Sequence, residues 1–574
     1  MRSTPATPER PSPTGLTCAA ITLGGLALMG CTQGLAPPIA AEHGEDVPPR
    51  RGGTLRMAEI GDLRTLDPAG AADGVSLPIM HMMFAGLVDF DDRANVVPEL
   101  AERWETTDDG RVYRFALRPG VVMHDGNELT AEDVKRSVER ALHPSAPNPS
   151  GSLFDGLVGF DDFATGRADH INGVEVEGRY VVRFRLKERD AAFLALLAME
   201  PLRPVCKTGG LRYSDDWLPC GAGPFRLRPG GWERGMSLRL VRHEAYFRPG
   251  LPYLDGVEWT FNMQALAQRF RFEAGAIDLV RSLSQADQRR FSADPRWKPF
   301  GRSDADTNVY GESMNTRIPP FDNIEVRRAV ASAINREHYR LLKPGYMTVM
   351  TQLVPPNVPG YDSSVEGQHY DYGVALEHMR KAGYPYDPVT GVGGWPLPID
   401  YPLYDRGLLV FTAQLLQQDL AKIGLRIELR LVSWQAFLAL QERPAGAALS
   451  QGNWDMDYPD PSSFFDPLFT TRAIGPEGGH NTAFYSNRRL DDLAAEARRE
   501  PQTERRRSLY AEAGAILCND APWAFAYSHH AYRLRQPYVR GDFAHPIWAV
   551  DAMAAWLDRA GRSLEQALGE GLRR

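Results

Sequence analysis

The stretch 407–431 constrains the fold more tightly than any other. Leu409, Leu416, Leu420 and Ile423 recur on one face of a helix running from about residue 407 to 423, and Gly424 stands where a left-handed residue closes such a helix. Leu425, Ile427, Leu429 and Leu431 then alternate with Arg426, Glu428 and Arg430, the period-two pattern of a half-buried strand. A helix handed to a strand by a single glycine is the building step of an α/β chain. The same signals recur elsewhere. Tyr113, Phe115 and Leu117 alternate with polar neighbours, as do Tyr180, Val182, Phe184 and Leu186. Thr130-Ala-Glu-Asp133 reads as a capping-box start to a helix whose stripe is Val134, Val138, Ala141 and Leu142. Asp322-Asn-Ile-Glu325 opens another, with Val326, Val330, Ala333 and Ile334 on one face. No internal repeat accompanies them. The 574 residues allow about three or four folding units. Two stretches, 201–229 and 345–388, are dense in glycine, proline or aromatic residues and read as hinge or boundary material.

The amino terminus reads as an export signal. Arg2 and Arg10 precede thirteen uncharged residues, Leu16 to Leu28. As a helix these reach only about 20 Å, too short for a hydrocarbon core of about 30 Å, so residues 1–30 read as a signal peptide. The segment ends Leu28-Met29-Gly30-Cys31, which resembles a bacterial lipobox, with Cys31 as the lipid-attachment residue; soluble export after cleavage at another small residue is the alternative. Residues 31–51, rich in proline, glycine, alanine and acid, read as a flexible tether. The net charge is -8, and residues 1–30 carry two arginines and one glutamate, leaving the mature chain near -9. An acidic chain without a basic run is a poor partner for nucleic acid.

Cys18 leaves with the signal. In an exported chain Cys206 and Cys220, 14 positions apart, are candidates for a disulfide whose loop closure contributes about 3 kcal/mol; two buried thiols are the alternative. Cys518 falls in the apolar run Ala515-Ile516-Leu517 and reads as a core residue.

Catalytic signatures are scarce: the sequence holds no GxSxG, HExxH, GxxxxGK[ST] or CxxC. His529-His530 would point to opposite faces of a strand, which suits a structural role better than chelation of one metal ion. The densest chemistry is Gly452-Asn-Trp-Asp-Met-Asp-Tyr-Pro-Asp-Pro461. Pro459 and Pro461 forbid a central strand or helix there, so the segment reads as a rigid loop after a strand-like 447–451. Its acids admit three readings. A surface turn would only keep the loop wet. A calcium loop has Asp455, Asp457 and Asp466 at suitable spacing, but Asp460 replaces the sharp-turn glycine and Pro459 a ligand. A solute pocket would set Trp454 and Tyr458 beside a carboxylate, suited to an apolar side chain and a cationic amine.

Several short motifs then fall in one order. They are Gly52-Gly-Thr-Leu55, Thr65-Leu-Asp-Pro68, Pro98-Glu-Leu-Ala-Glu-Arg-Trp-Glu105, Asp108-Asp-Gly110, Phe115-Ala-Leu-Arg-Pro-Gly-Val121, His124-Asp-Gly126 and Leu129-Thr-Ala-Glu-Asp-Val134. Further on come Gly221-Ala-Gly-Pro-Phe225, Asn315-Thr-Arg-Ile-Pro-Pro-Phe-Asp322, Val326-Arg-Arg-Ala-Val330 and Ala333-Ile-Asn-Arg336. The series resembles the oligopeptide/dipeptide-binding family of ABC-importer solute-binding proteins, over about residues 52–556. The resemblance implies a type II periplasmic-binding-protein fold: a first lobe of residues 52–84, 198–301 and 522–574, an extra subdomain at 85–197 within it, and a second lobe at 302–521. A solute would lie between the lobes, which close by hinge motion and present the closed form to the permease.

In peptide-binding members an aspartate in a tryptophan-x-x-aspartate segment holds the peptide ammonium. Trp454-Asp-Met-Asp457 matches it, making Asp457 the amine partner and Trp454 and Tyr458 walls of the pocket. Gly221 and Gly223 match a cleft-bordering loop, which a Cys206–Cys220 bridge would stiffen. Where some members hold the ligand carboxylate with arginine this chain has Leu403, with Arg406 three residues on as the remaining candidate. The resemblance implies a monomer that binds peptide-like solutes and permease subunits, attaches to the membrane through its lipid, and needs neither catalytic residue, metal nor cofactor. Relatives that bind metal chelates, haem, sugars or opines, a sensor or chaperone role, and an exported hydrolase are the alternative readings.

Overall fold

The computed structural model describes residues 48–558 apart from 72, 147, 149, 208–218, 405–407, 476–478 and 542–543. The signal segment, Cys31, most of the tether, Arg406 and residues 559–574 therefore lie outside the described residues.

The strand Trp523–Arg535 organises the molecule. Of its thirteen residues 523–528 and 532–534 are buried while His529–Ala531 are half-buried, and the two halves pair with different partners. The first half pairs antiparallel with Asn308–Met314 and with Met347–Val349, and the second half with Gly301–Ala305 and Leu279–Val280. Beyond Leu279–Val280 the sheet continues through Thr54–Ala58, parallel to it, then Gly256–Thr260, Ser237–Arg242 and Phe225–Glu233. On the opposite edge Leu449–Asp455 pairs with Asn308–Met314. The ten-stranded sheet thus runs through two regions, with one strand shared between them. The histidine pair lies at the changeover and is structural there: His530 Nε2 bonds Thr348 Oγ1 at 2.8 Å, while the His529 ring packs edge-on against Tyr310.

The apolar cores follow this division. One gathers Leu55, Met57, Phe225, Trp259 and Leu279 around the first region. A second fills residues 87–202, where a four-stranded sheet of Ala101–Thr107, Val112–Leu117, Val181–Arg185 and Val174–Val176 is covered by the helix Ala131–Ala141. Two more occupy the stretch 309–527.

The capping box forms as the sequence indicates: Asp133 Oδ2 accepts from the Thr130 amide at 3.0 Å and its hydroxyl at 2.7 Å. The helix Ile324–Ala333 begins one residue later than the acid suggested, because Asn323 rather than Asp322 supplies the cap oxygen to Glu325 N. The helix expected at about 407–423 spans Leu409–Ala421, with Gly424 at φ 79° closing it, and the strand after it starts at Ile427. The stretch 345–388 is less irregular than its prolines imply. It contains the helix Tyr372–Lys381, capped by Asp371 and buried only through Ala375 and Met379, a stripe too sparse to register beside so many aromatic residues.

Candidate functional site

Parallel strands carry their ligand-facing loops at their carboxyl ends. In the first region Thr54–Ala58 and Leu279–Val280 run parallel, and the shared strand leaves their carboxyl ends toward the second region. The acidic segment follows the strand Leu449–Asp455 of that second region.

The strand extends further than the prolines suggested. Trp454 and Asp455 are its last residues, paired with Val309 and Asn308, and the turn begins only at Met456, whose amide donates to Thr307 O at 3.1 Å. Proline breaks the ladder from 459 onward and leaves the preceding residues free to pair. Trp454 is half-buried, lies edge-on to His480 with ring centroids 4.9 Å apart, and its indole N–H finds no partner among the described residues.

The acids of this segment separate sharply by what they touch. Asp460 is gripped by both guanidinium nitrogens of Arg506 and accepts from Ser462 N and Oγ. Asp466 is paired with Arg472 at 2.9 Å and Arg498 at 3.2 Å. Both acids are turned to arginines, and no metal-ligating group of three forms in this segment among the described residues, so the calcium arrangement is not made. Asp457 is different. Its amide is held by Ser463 Oγ at 2.9 Å, but among the described residues no cation faces its carboxylate. Water reaches it, yet protein walls it on most sides. That enclosure, with Asp455 nearby, pushes its carboxyl up to about 7.

Tyr458 points the other way. It is 1% exposed, packs into the core of residues 87–202, and its hydroxyl meets Ser462 Oγ at 3.1 Å. Expected to wall the pocket, it presents no free surface to a solute; the bend over residues 457–460 leaves Asp457 outward and turns Tyr458 inward.

Gly221 and Gly223 lie against the end of the helix Ser76–Met83. A Cβ at Gly221 would come within 2.7 Å of Met83 O, and one at Gly223 within 2.4 Å of the Met83 carbonyl carbon. Close backbone approach explains both glycines. His124 ties the loop down: its amide donates to Gly221 O at 2.9 Å, Nδ1 accepts from Gly221 N, and Nε2 lies 3.0 Å from Gly223 O. The Cys206–Cys220 disulfide is formed, with Cα atoms 5.4 Å apart, and fastens the same loop. Cys518 is half-buried and outside any disulfide, and burial pushes its thiol up to about 12. Leu403 is buried at the end of the strand Ile399–Leu403.

Two charged features escaped the sequence reading. Glu312, inward on Asn308–Met314, is fully enclosed, accepts from the Tyr401 hydroxyl at 2.8 Å, and is pushed up to about 8 by burial. A lone acid in the strand sequence Asn-Val-Tyr-Gly-Glu-Ser-Met was the available signal. Arg498 bridges Asp190 and Asp466; no short-range pattern joins residues 308 positions apart.

Residues 95–476 match the family model of bacterial extracellular solute-binding proteins, family 5 Middle. The chain belongs to this family. The glutathione-binding protein of Salmonella typhi is 28% identical over 498 residues, covering 85% of this chain and 91% of that protein. Heme-binding protein A of Haemophilus influenzae is 28% identical over 491 residues, covering 81% and 85%. The ABC transporter-associated periplasmic binding protein DppA from Helicobacter pylori, solved in complex with peptide STSA, superposes with a TM-score of 0.72 at 25% identity, over 89% of this chain and 99% of that one. This family 5 protein therefore has the type II periplasmic-binding-protein fold and serves outside the cytoplasm as the solute-binding component of an ABC importer.

Proposed function

We propose that this solute-binding protein captures short peptides or peptide-like compounds with a free amino terminus, with Asp457 accepting the ammonium and Trp454 lining a side-chain pocket. The observation that carries the reading is the isolation of Asp457: among the described residues no cation faces its water-accessible carboxylate, whereas the buried acids of the same segment, Asp460 and Asp466, are each paired with arginine. A ligand ammonium would complete it with a charge-assisted hydrogen bond. The peptide in the Helicobacter pylori structure and the glutathione named for the Salmonella relative are compounds of this chemistry. Gly221 and Gly223 would shape the opposite wall through the loop that the disulfide fastens, and Arg406 remains a candidate for the ligand's other end. Residues 52–84, 198–301 and 522–574 would form one lobe with 85–197 as its subdomain, and 302–521 the other. Acylated Cys31 would hold the monomer at the membrane beside the permease. Its work is binding and presentation, without turnover.

Titration calorimetry with tetra-alanine and N-acetyl-tetra-alanine tests the ammonium role. Asp457→Asn is expected to weaken the free-amine peptide by roughly 30-fold or more, the loss typical of truncating one partner of a buried charge pair, and to leave the acetylated form nearly unchanged. Equal losses for the two would rule the role out.

A further inference from the structure

The loop that carries Asp457 is held from outside its own core. Tyr458, the next residue, is buried among the side chains of residues 87–202. Nearby, Arg498 at the end of the helix Arg488–Arg499 reaches Asp190 of that same segment with Nη2 at 2.9 Å and Nε at 3.1 Å. Its Nη1 reaches Asp466 on the helix Ser462–Phe469 at 3.2 Å. All three side chains are largely buried, and the Arg498 carbonyl also accepts from Ala191 N at 2.8 Å. Ser463, on the helix of Asp466, holds the Asp457 amide. An unbroken set of contacts thus runs from Asp190 through Arg498 and Asp466 to Ser463 and Asp457, with Tyr458 plugged in beside it.

We infer that Arg498 is a positioning residue for solute binding: by clamping Asp190 of residues 87–202 to Asp466 beside the acidic loop it sets the place of Asp457, so that docking of residues 87–202 and capture of the ammonium are coupled. The inference rests on the proposed role of Asp457. A guanidinium fork is suited to the task because it satisfies two carboxylates in fixed directions, which an ammonium on a flexible stem does not. Arg499 and Glu188, 3.0 Å apart but exposed, add little.

The test measures affinities for tetra-alanine and N-acetyl-tetra-alanine in the wild-type protein, Arg498→Ala and the milder Asp190→Asn, together with the thermal midpoint of each protein without peptide. The clamp predicts that preference for the free amine falls about tenfold or more in both variants, within the usual range of coupling between sites. It also predicts that Arg498→Lys recovers only part of that preference. A purely stabilising contact would lower the thermal midpoint and leave the preference intact; that result overturns the inference while the role of Asp457 stands. A wild-type protein without preference for the free amine would overturn both.

Discussion

Asp457 illustrates how a single carboxyl can be legible in type but not in state. The resemblance of Trp454-Asp-Met-Asp457 to the family's segment proposes it as an amine partner, whereas its titration behaviour depends first on the desolvation that only the folded chain imposes, with Asp455 two residues away adding to it. The sign of the pH effect follows. In the free protein the carboxyl sits at about 7, and an ammonium bound beside it holds it ionised and lower. Below about pH 7 the site must therefore lose a proton to bind, and affinity for tetra-alanine should fall by at most about tenfold per pH unit. Above about pH 8 the peptide's own amine begins to lose its charge, so affinity should peak between these values. Calorimetry from pH 5 to 9 checks this, and a flat profile below pH 7 would contradict it. Tyr458 shows the opposite case. Composition placed an aromatic residue beside the acid, but whether it faced solute or core depended on residues 87–202, which sequence distance conceals.

At the scale of elements, local chemistry was most readable where it is self-contained. The capping box at Thr130 and Asp133 needs four residues and formed as written. The glycine-closed helix and its following strand needed only hydrophobic period and one positive φ at Gly424. What the sequence concealed were features decided by neighbours: the strand through Trp454 and Asp455 exists because Asn308–Met314 pairs with it, and the helix Tyr372–Lys381 buries too little to show a strong stripe. The loop at Gly221–Gly223 combines both kinds. Its glycines are explained by close approach to Met83, and its rigidity by His124 and the disulfide. Reducing the Cys206–Cys220 bridge should release one of those fastenings. Tetra-alanine affinity should drop several-fold and the thermal midpoint should fall, with a loop-closure loss of about 3 kcal/mol. Unchanged affinity in reductant would detach the loop from binding.

For the whole molecule, the shared strand Trp523–Arg535 explains how one sheet can serve two regions with a seam between them. Contacts such as Arg498 with Asp190 join residues 87–202 to the second region far from that strand in sequence, and they do so beside the acidic loop. The ordered motifs indicated this architecture early through their resemblance to the family. The contacts that unite the regions, and with them the accessible face of the site, emerge only in three dimensions. Binding energy gained between the regions is then available to favour the form that the permease recognises. The central claim is that the solute held there carries a free amino group against Asp457. Native mass spectrometry of the protein purified without refolding, beside Asp457→Asn prepared identically, tests it most directly. The account predicts co-purifying peptides or peptide-like compounds with unblocked amines on the wild-type protein and their loss from the variant. A bound compound without a free amine, or the same compound retained equally by both proteins, would contradict it.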